Sequence, residues 1–152
     1  MLRRMVLLGG TLLVAVIVLG GVALAENIRG TFEKDELRGT LQLDRIYGLG
    51  AADTISGRKG NDDCYGGSGF DEIRCGRGND RIDGGFGEDD LFGGRGTDTI
   101  LAADGFKDNV SCGRGKNDTA YVDEVDTVDP AQATICENIF VAREDTGTGG
   151  PA

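Results

Sequence analysis

Gly66-Gly67-Ser68-Gly69-Phe70-Asp71-Glu72-Ile73-Arg74 is followed, three nine-residue units later, by Gly93-Gly94-Arg95-Gly96-Thr97-Asp98-Thr99-Ile100-Leu101. Both read G-G-x-G-x-D-x-U-x, with U apolar, and the same frame runs without a gap through eight units from Gly30 to Leu101. Aspartate recurs at the sixth position as Asp35, Asp44, Asp53, Asp62, Asp71, Asp80, Asp89 and Asp98. Two residues further on stand Leu37, Ile46, Ile55, Cys64, Ile73, Ile82, Leu91 and Ile100.

The unit divides into a turn and a strand. Its first six residues are rich in glycine, which accepts positive φ and brings bare backbone carbonyls close to a cation. The last three, x-U-x, suffice only for a short strand, in which alternation points the middle side chain inward and its neighbours outward. The outer positions agree: Arg45 and Tyr47, Glu72 and Arg74, Arg81 and Asp83 are polar or large. Turn and strand repeated every nine residues predict an all-β, right-handed parallel β-roll, with two units per turn and strands eighteen residues apart stacked in parallel.

Such a roll has one inward side chain per unit and aspartates stacked about 4.8 Å apart, where each like-charged neighbour costs about 1 kcal/mol even at the dielectric constant of water. A cation between them removes that cost. Calcium suits the position, because it takes six to eight oxygens from carboxylates and carbonyls at flexible geometry. Magnesium demands a tighter octahedron, and zinc wants histidine or cysteine ligands that these loops lack.

On these residues the segment 30–101 resembles the RTX, or hemolysin-type, calcium-binding repeat family. The resemblance implies that each ion lies between the loops of units n and n+2, held by aspartate side chains and loop carbonyls. One side would stack Asp35, Asp53, Asp71 and Asp89, and the other Asp44, Asp62, Asp80 and Asp98. The carbonyls would come from around Gly57, Gly60, Gly66, Gly67, Gly69, Gly76, Gly78, Gly84, Gly85, Gly87, Gly93, Gly94 and Gly96. The first three units depart from the pattern, since Glu33, Gln42 and Ala51 stand where the fourth-position glycine is expected. They read as an amino-terminal cap.

Arg3 and Arg4 precede an uncharged run from Met5 to Leu24, and Ala23-Leu24-Ala25 offers an A-x-A cleavage site before Glu26. Residues 1–25 therefore have the layout of a secretory signal peptide. The alternative is an uncleaved anchor at the cell surface, because the run is long enough to span a bilayer. Removing the first 25 of 152 residues leaves 127, with the 16 basic residues reduced to 14 against 26 acidic ones, a formal charge of −12. That balance disfavours nucleic acid and anionic membranes as partners of the whole molecule.

Beyond Leu101 the register slips. Asp104-Gly105-Phe106-Lys107-Asp108 and Gly113-Arg114-Gly115-Lys116-Asn117-Asp118 keep glycine and aspartate, displaced by one residue. Residues 102–143 are expected to be degenerate repeats and a disulfide-linked cap on a roll of residues 26–101, and 144–152 a disordered tail. Four cysteines in an exported chain suggest two disulfides, for which sequence allows three pairings. Cys112 with Cys136 would tie the cap to the roll, and Cys64 with Cys75 would need a close approach across it.

No other motif competes. Gly113-Arg114-Gly115-Lys116-Asn117 lacks the spacing and the Ser or Thr of a phosphate loop, and Asp104–Asp108 lacks the alternating ligands and terminal glutamate of an EF-hand. The chain has no histidine, which removes Ser-His-Asp and Cys-His catalysis. The expected function is calcium binding by an extracellular, monomeric, non-enzymatic roll that folds on its ions. The alternative is a calcium-dependent adhesin whose outer faces, with Tyr47, Tyr65, Phe92 and several arginines, grip an envelope or matrix partner.

Overall fold

The computed structural model describes residues 26–129 and 136–142. The expected signal segment, 1–25, and the expected tail, 144–152, lie outside the described residues. Among the described residues, thirteen short strands make two parallel sheets that face each other.

The seven-stranded sheet runs β1 (Asn27–Arg29), β3 (Arg45–Tyr47), β5 (Asp63–Ser68), β7 (Arg81–Phe86), β9 (Thr99–Leu101), β11 (Thr119–Asp123), β13 (Asn138–Ala142). The six-stranded sheet runs β2 (Glu36–Arg38), β4 (Thr54–Lys59), β6 (Glu72–Arg77), β8 (Asp90–Arg95), β10 (Asn109–Gly113), β12 (Thr127–Val128). Successive strands alternate between sheets, so each turn of the chain contains two units, and the architecture is the β-solenoid that the nonapeptide period predicts.

Register puts the apolar position of every unit in one of two interior columns. Ile28, Ile46, Cys64, Ile82, Ile100 and Ala120 stack in the first, and Leu37, Ile55, Ile73, Leu91 and Val110 in the second. All are buried. At about 0.8 kcal/mol per buried methylene, this narrow seam holds the sheets face to face but is small for so long a chain. Outward-facing side chains pair along the stack: the Tyr47 and Tyr65 rings lie 4.9 Å apart and nearly parallel, as do Tyr121 and Phe140 at 5.1 Å.

The sheets do not stop where the nine-residue register does. β10 pairs with β8 and β11 with β9, and β12 and β13 extend each sheet by one more strand. The extra residues after Leu101 lengthen the connections and leave the ladders intact.

Two disulfides cross the interior, Cys64–Cys75 joining β5 to β6 and Cys112–Cys136 joining β10 to the second residue before β13. Cys75 opens its loop at the position that Gly57 and Gly93 occupy in neighbouring turns, and Cys112, whose neighbours Ser111 and Gly113 pair with Phe92 and Gly94, does the same. A side chain is thus admitted there when it bonds into the core. Replacing Cys112 and Cys136 together with alanine should lower stability by about 3 kcal/mol, the loop-closure value for a separation of twenty-odd residues. Denaturant unfolding would measure that loss, and a midpoint equal to the parent's would show that the bridge contributes nothing.

Candidate metal centre

Each unit's aspartate begins the step from turn to strand, and its backbone is held by the next turn. The N–H of Asp35 donates to Asp53 Oδ1 at 2.8 Å, that of Asp53 to Asp71 Oδ1 at 2.7 Å, and that of Asp71 to Asp89 Oδ1 at 2.8 Å. On the other side Asp44 donates to Asp62 Oδ1, Asp62 to Asp80 Oδ1 and Asp80 to Asp98 Oδ1, at 2.8 to 3.0 Å. The eight aspartates singled out by the repeat therefore form two continuous ladders, and every one is buried.

Both ladders continue past the regular repeats. Asp89 donates to Asp108 Oδ1 and Asp108 to Asp126 Oδ1; Asp98 donates to Asp118 Oδ1, and Asp118 to Glu137 Oε2. A strict nine-residue frame misses these four. The usable signal is shorter: Asp108-Asn109-Val110, Asp118-Thr119-Ala120, Asp126-Thr127-Val128 and Glu137-Asn138-Ile139 all keep a carboxylate two residues before an apolar side chain.

The second carboxylate oxygen distinguishes one part of the ladder from another. In Asp53, Asp62, Asp71, Asp80, Asp89, Asp98, Asp108 and Asp118, Oδ2 is buried without a hydrogen-bond donor. Asp35 and Asp44 differ. Thr31 donates its N–H and Oγ1–H to Asp35 Oδ2 at 2.6 and 3.0 Å, and Thr40 does the same for Asp44 Oδ2 at the same distances. Threonine in the second loop position thus supplies two donors to the atom that a glycine there leaves bare. The first two units satisfy their own carboxylates, in keeping with an amino-terminal cap.

The third unit does not follow them. Leu49 at φ 91° and Ala51 at φ 69° hold the left-handed turn that glycine holds elsewhere, and Asp53 Oδ2 is left without a donor. Its geometry is that of the central loops, and the left-handed strain at two non-glycine residues is carried by the stacking of the turns above and below.

The loops close round these oxygens. A Cβ added at Gly57 would lie 2.6 Å from both Asp62 Oδ2 and the Cys75 carbonyl oxygen, and Gly66, Gly84 and Gly93 face the Oδ2 atoms of Asp71, Asp89 and Asp98 in the same way. The second- and fourth-position glycines, Gly60, Gly67, Gly69, Gly76, Gly78, Gly85, Gly87, Gly94 and Gly96, all have φ between 97° and 143°. Each lies against a loop carbonyl of the preceding turn. At Gly78 a methyl group would overlap the Gly60 carbonyl, at a backbone angle that L-residues avoid.

Among the described residues, no three carboxylate, thiol or imidazole side chains converge on one point. A cation beside any Oδ2 would draw one or two carboxylates from adjacent turns and the rest of its oxygens from backbone. That donor set is all oxygen, charged in part and irregular. It fits calcium, which accepts many oxygens at loose geometry, and suits neither zinc nor the strict octahedron of magnesium.

Burial dominates the electrostatics. It raises Asp80 to about 7, Asp108 to about 8, and Asp53, Asp62, Asp89 and Asp98 to about 6 from the ordinary 3.8. The backbone N–H bond to Oδ1 opposes the rise, and in these six the charge of neighbouring carboxylates adds to it. Asp71, Asp118 and Asp126 are raised for the same leading reason. A carboxylate so placed needs either a proton or a metal cation.

Metal-free folding should therefore depend on pH in the direction opposite to ordinary acid denaturation. Groups whose folded values are raised contribute stability that is complete below 3.8 and lost as pH climbs through about 6 to 8. Decalcified protein should hold more β structure at pH 5 than at pH 8, where it should be coil-like, as read by far-ultraviolet circular dichroism. β content that only falls on acidification would contradict this.

Comparison with known proteins gives one positive result. The family model described as RTX calcium-binding nonapeptide repeat (4 copies) matches residues 29–64, 38–73 and 65–100. No curated protein and no solved structure matches the chain. The matched residues build the regular part of the two aspartate ladders, from Asp35 to Asp98, and its loops. Residues 29–100 carry the RTX calcium-binding nonapeptide repeat.

Proposed function

We propose that the roll binds several calcium ions along its two aspartate ladders, folds as it binds them, and serves outside the cell as a self-contained structural module without enzymatic activity. The observation that carries the reading is the set of eight buried Oδ2 atoms with no donor. Each leaves a buried acceptor unmet, a cost of about 1–3 kcal/mol for a neutral group and more for a charged one. Supplying positive charge between turns meets that need eight times with one device.

The ions would lie between Asp53 and Asp71, Asp71 and Asp89, Asp62 and Asp80, and Asp80 and Asp98, with Asp108 and Asp118 extending the two rows. The roles of this chain's residues follow from their places. Oδ1 fixes each carboxylate to the turn before it, Oδ2 is left for the ion, and the loop glycines let carbonyls approach without a Cβ between the turns. Each site occupied only in the folded chain adds RT ln(1 + [L]/Kd), about 2.7 kcal/mol at a hundredfold excess over Kd.

Export supplies the setting. The layout of residues 1–25 supports passage through a translocon, where a glycine-rich chain with unneutralised aspartates would travel unfolded and fold on meeting calcium. The two disulfides suit an oxidising compartment.

Far-ultraviolet circular dichroism should change from coil-like to β-like on adding millimolar calcium to the decalcified protein, and much less on adding the same magnesium. An unchanged cooperative β spectrum in chelator would contradict the proposal. Within the ladder the effects should be graded. Asp80→Ala should impair two sites and cost the equivalent of about 2 bound ions in a calorimetric titration, whereas Asp44→Ala, whose Oδ2 already has Thr40 as partner, should leave the ion count near that of the parent. Equal losses in the two variants would sink this assignment.

A further inference from the structure

The two loop edges of the roll are chemically unlike. On one, the strands of the six-stranded sheet end in a column of cations: Lys59 pairs in register with Arg77, Arg77 with Arg95, and Arg114 follows Gly113, the partner of Gly94. The equivalent strand ends of the seven-stranded sheet carry Ser68 against Phe86. Arg58 and Lys116 lie on the same basic edge. All six cations are exposed, and none makes a side-chain ion pair among the described residues, whereas Arg38, Arg45, Arg74 and Arg81 on the sheet faces all have acidic partners. In a chain of net charge −10, leaving six neighbouring cations unpaired is a departure that solvation alone does not require.

The column borders an open groove of about 370 Å³. Its floor includes the stacked glycines Gly76, Gly94 and Gly113, which present backbone and no side chain, and Phe92 lies along it with Arg58, Arg77, Arg95 and Arg114. The register of this edge is fixed beside the column, where the Asn79 N–H donates to Asn61 Oδ1 at 2.8 Å and the Thr97 N–H to Asn79 Oδ1 at 3.0 Å. Cations therefore repeat at the strand spacing, about 4.8 Å, along a straight trough.

We infer that this groove binds a linear anionic polysaccharide, lying parallel to the roll axis with its acidic groups on the arginine column. Guanidinium groups offer paired donors to sulfate or carboxylate, and a trough lined by backbone admits a chain while a flat membrane would meet only its rim. Single-stranded nucleic acid needs a row of aromatic faces for its bases. The groove has Phe92 alone, with Arg74 already 4.3 Å over its ring. The inference rests on the calcium reading, because Asp62, Asp80 and Asp98 lie beneath the same loops and would offset the column until divalent cations neutralise them.

Binding of a fluorescent dextran sulfate oligosaccharide tests it, followed by anisotropy with millimolar calcium and with chelator, and with bound calcium counted in the same samples. The protein should bind in calcium and release in chelator. The pair Arg77→Glu and Arg95→Glu should weaken binding at least tenfold. The pair Lys34→Glu and Lys107→Glu, which makes the same change of charge on the opposite edge, should alter it less than twofold. If the first pair does not fold, Arg95→Gln with Arg114→Gln set against Lys34→Gln with Lys107→Gln gives the same comparison at half the change of charge. Equal losses in the two edges, or single-stranded DNA bound as tightly as the glycan, would overturn the inference. Calcium bound without any glycan binding would overturn it and leave the calcium reading standing; glycan bound to a protein that takes up no calcium would overturn the calcium reading and leave the groove.

Discussion

A carboxylate buried with one oxygen satisfied and the other bare is the constraint on which this structure turns. Oδ1 of each ladder aspartate accepts the backbone N–H of the aspartate one turn earlier, for example Asp53 to Asp71 at 2.7 Å, and so stitches successive turns together. The same bond forces Oδ2 into the loop, away from water. Coupling the two is what makes the fold conditional: the contact that builds the stack also creates a charge that the stack cannot accommodate unaided.

The rest of the architecture follows from that arrangement. Two interior columns of single small or aliphatic side chains, from Ile28 to Ala120 and from Leu37 to Val110, suffice to keep the sheets apart at a fixed distance. They leave the edges to be held by polar chemistry. Glycines occupy the loop positions because carbonyls of the preceding turn come too close for a Cβ, as at Gly78 under Gly60. The amino-terminal units show the alternative solution. Thr31 and Thr40 give their carboxylates two donors each, which lets the roll begin on turns that carry their own neutralising hydrogen bonds. At the other end Asp126 and Glu137 terminate the ladders, and the Cys112–Cys136 bridge ties the last turns together.

Much of this was legible in the sequence. The nine-residue period, the apolar residue two places after each aspartate and the glycine loops dictate strand, face and stacking order, and the strand register places Ile46 beside Cys64 and Ile55 beside Ile73 as eighteen-residue spacing requires. Two things were hidden. Insertions after Leu101 broke the period without breaking the ladder, because connections can lengthen on the surface while the carboxylate-x-apolar triplet keeps its place. The third unit was hidden for a different reason: Leu49 and Ala51 are poor residues for left-handed turns, and only the neighbouring turns hold them there. The basic column was equally invisible along the chain, since Lys59, Arg77, Arg95 and Arg114 become neighbours only when turns stack.

The central claim is that the bare oxygens are the places where calcium sits. A crystal structure of the protein grown in calcium, with anomalous scattering used to identify the ions, tests this most directly. The account predicts ions within about 2.3–2.6 Å of Oδ2 in Asp53, Asp62, Asp71, Asp80, Asp89 and Asp98, and none at Asp35 or Asp44, where threonine donors already stand. A folded roll with water or nothing beside the central Oδ2 atoms, or with ions at Asp35 and Asp44 instead, would contradict it.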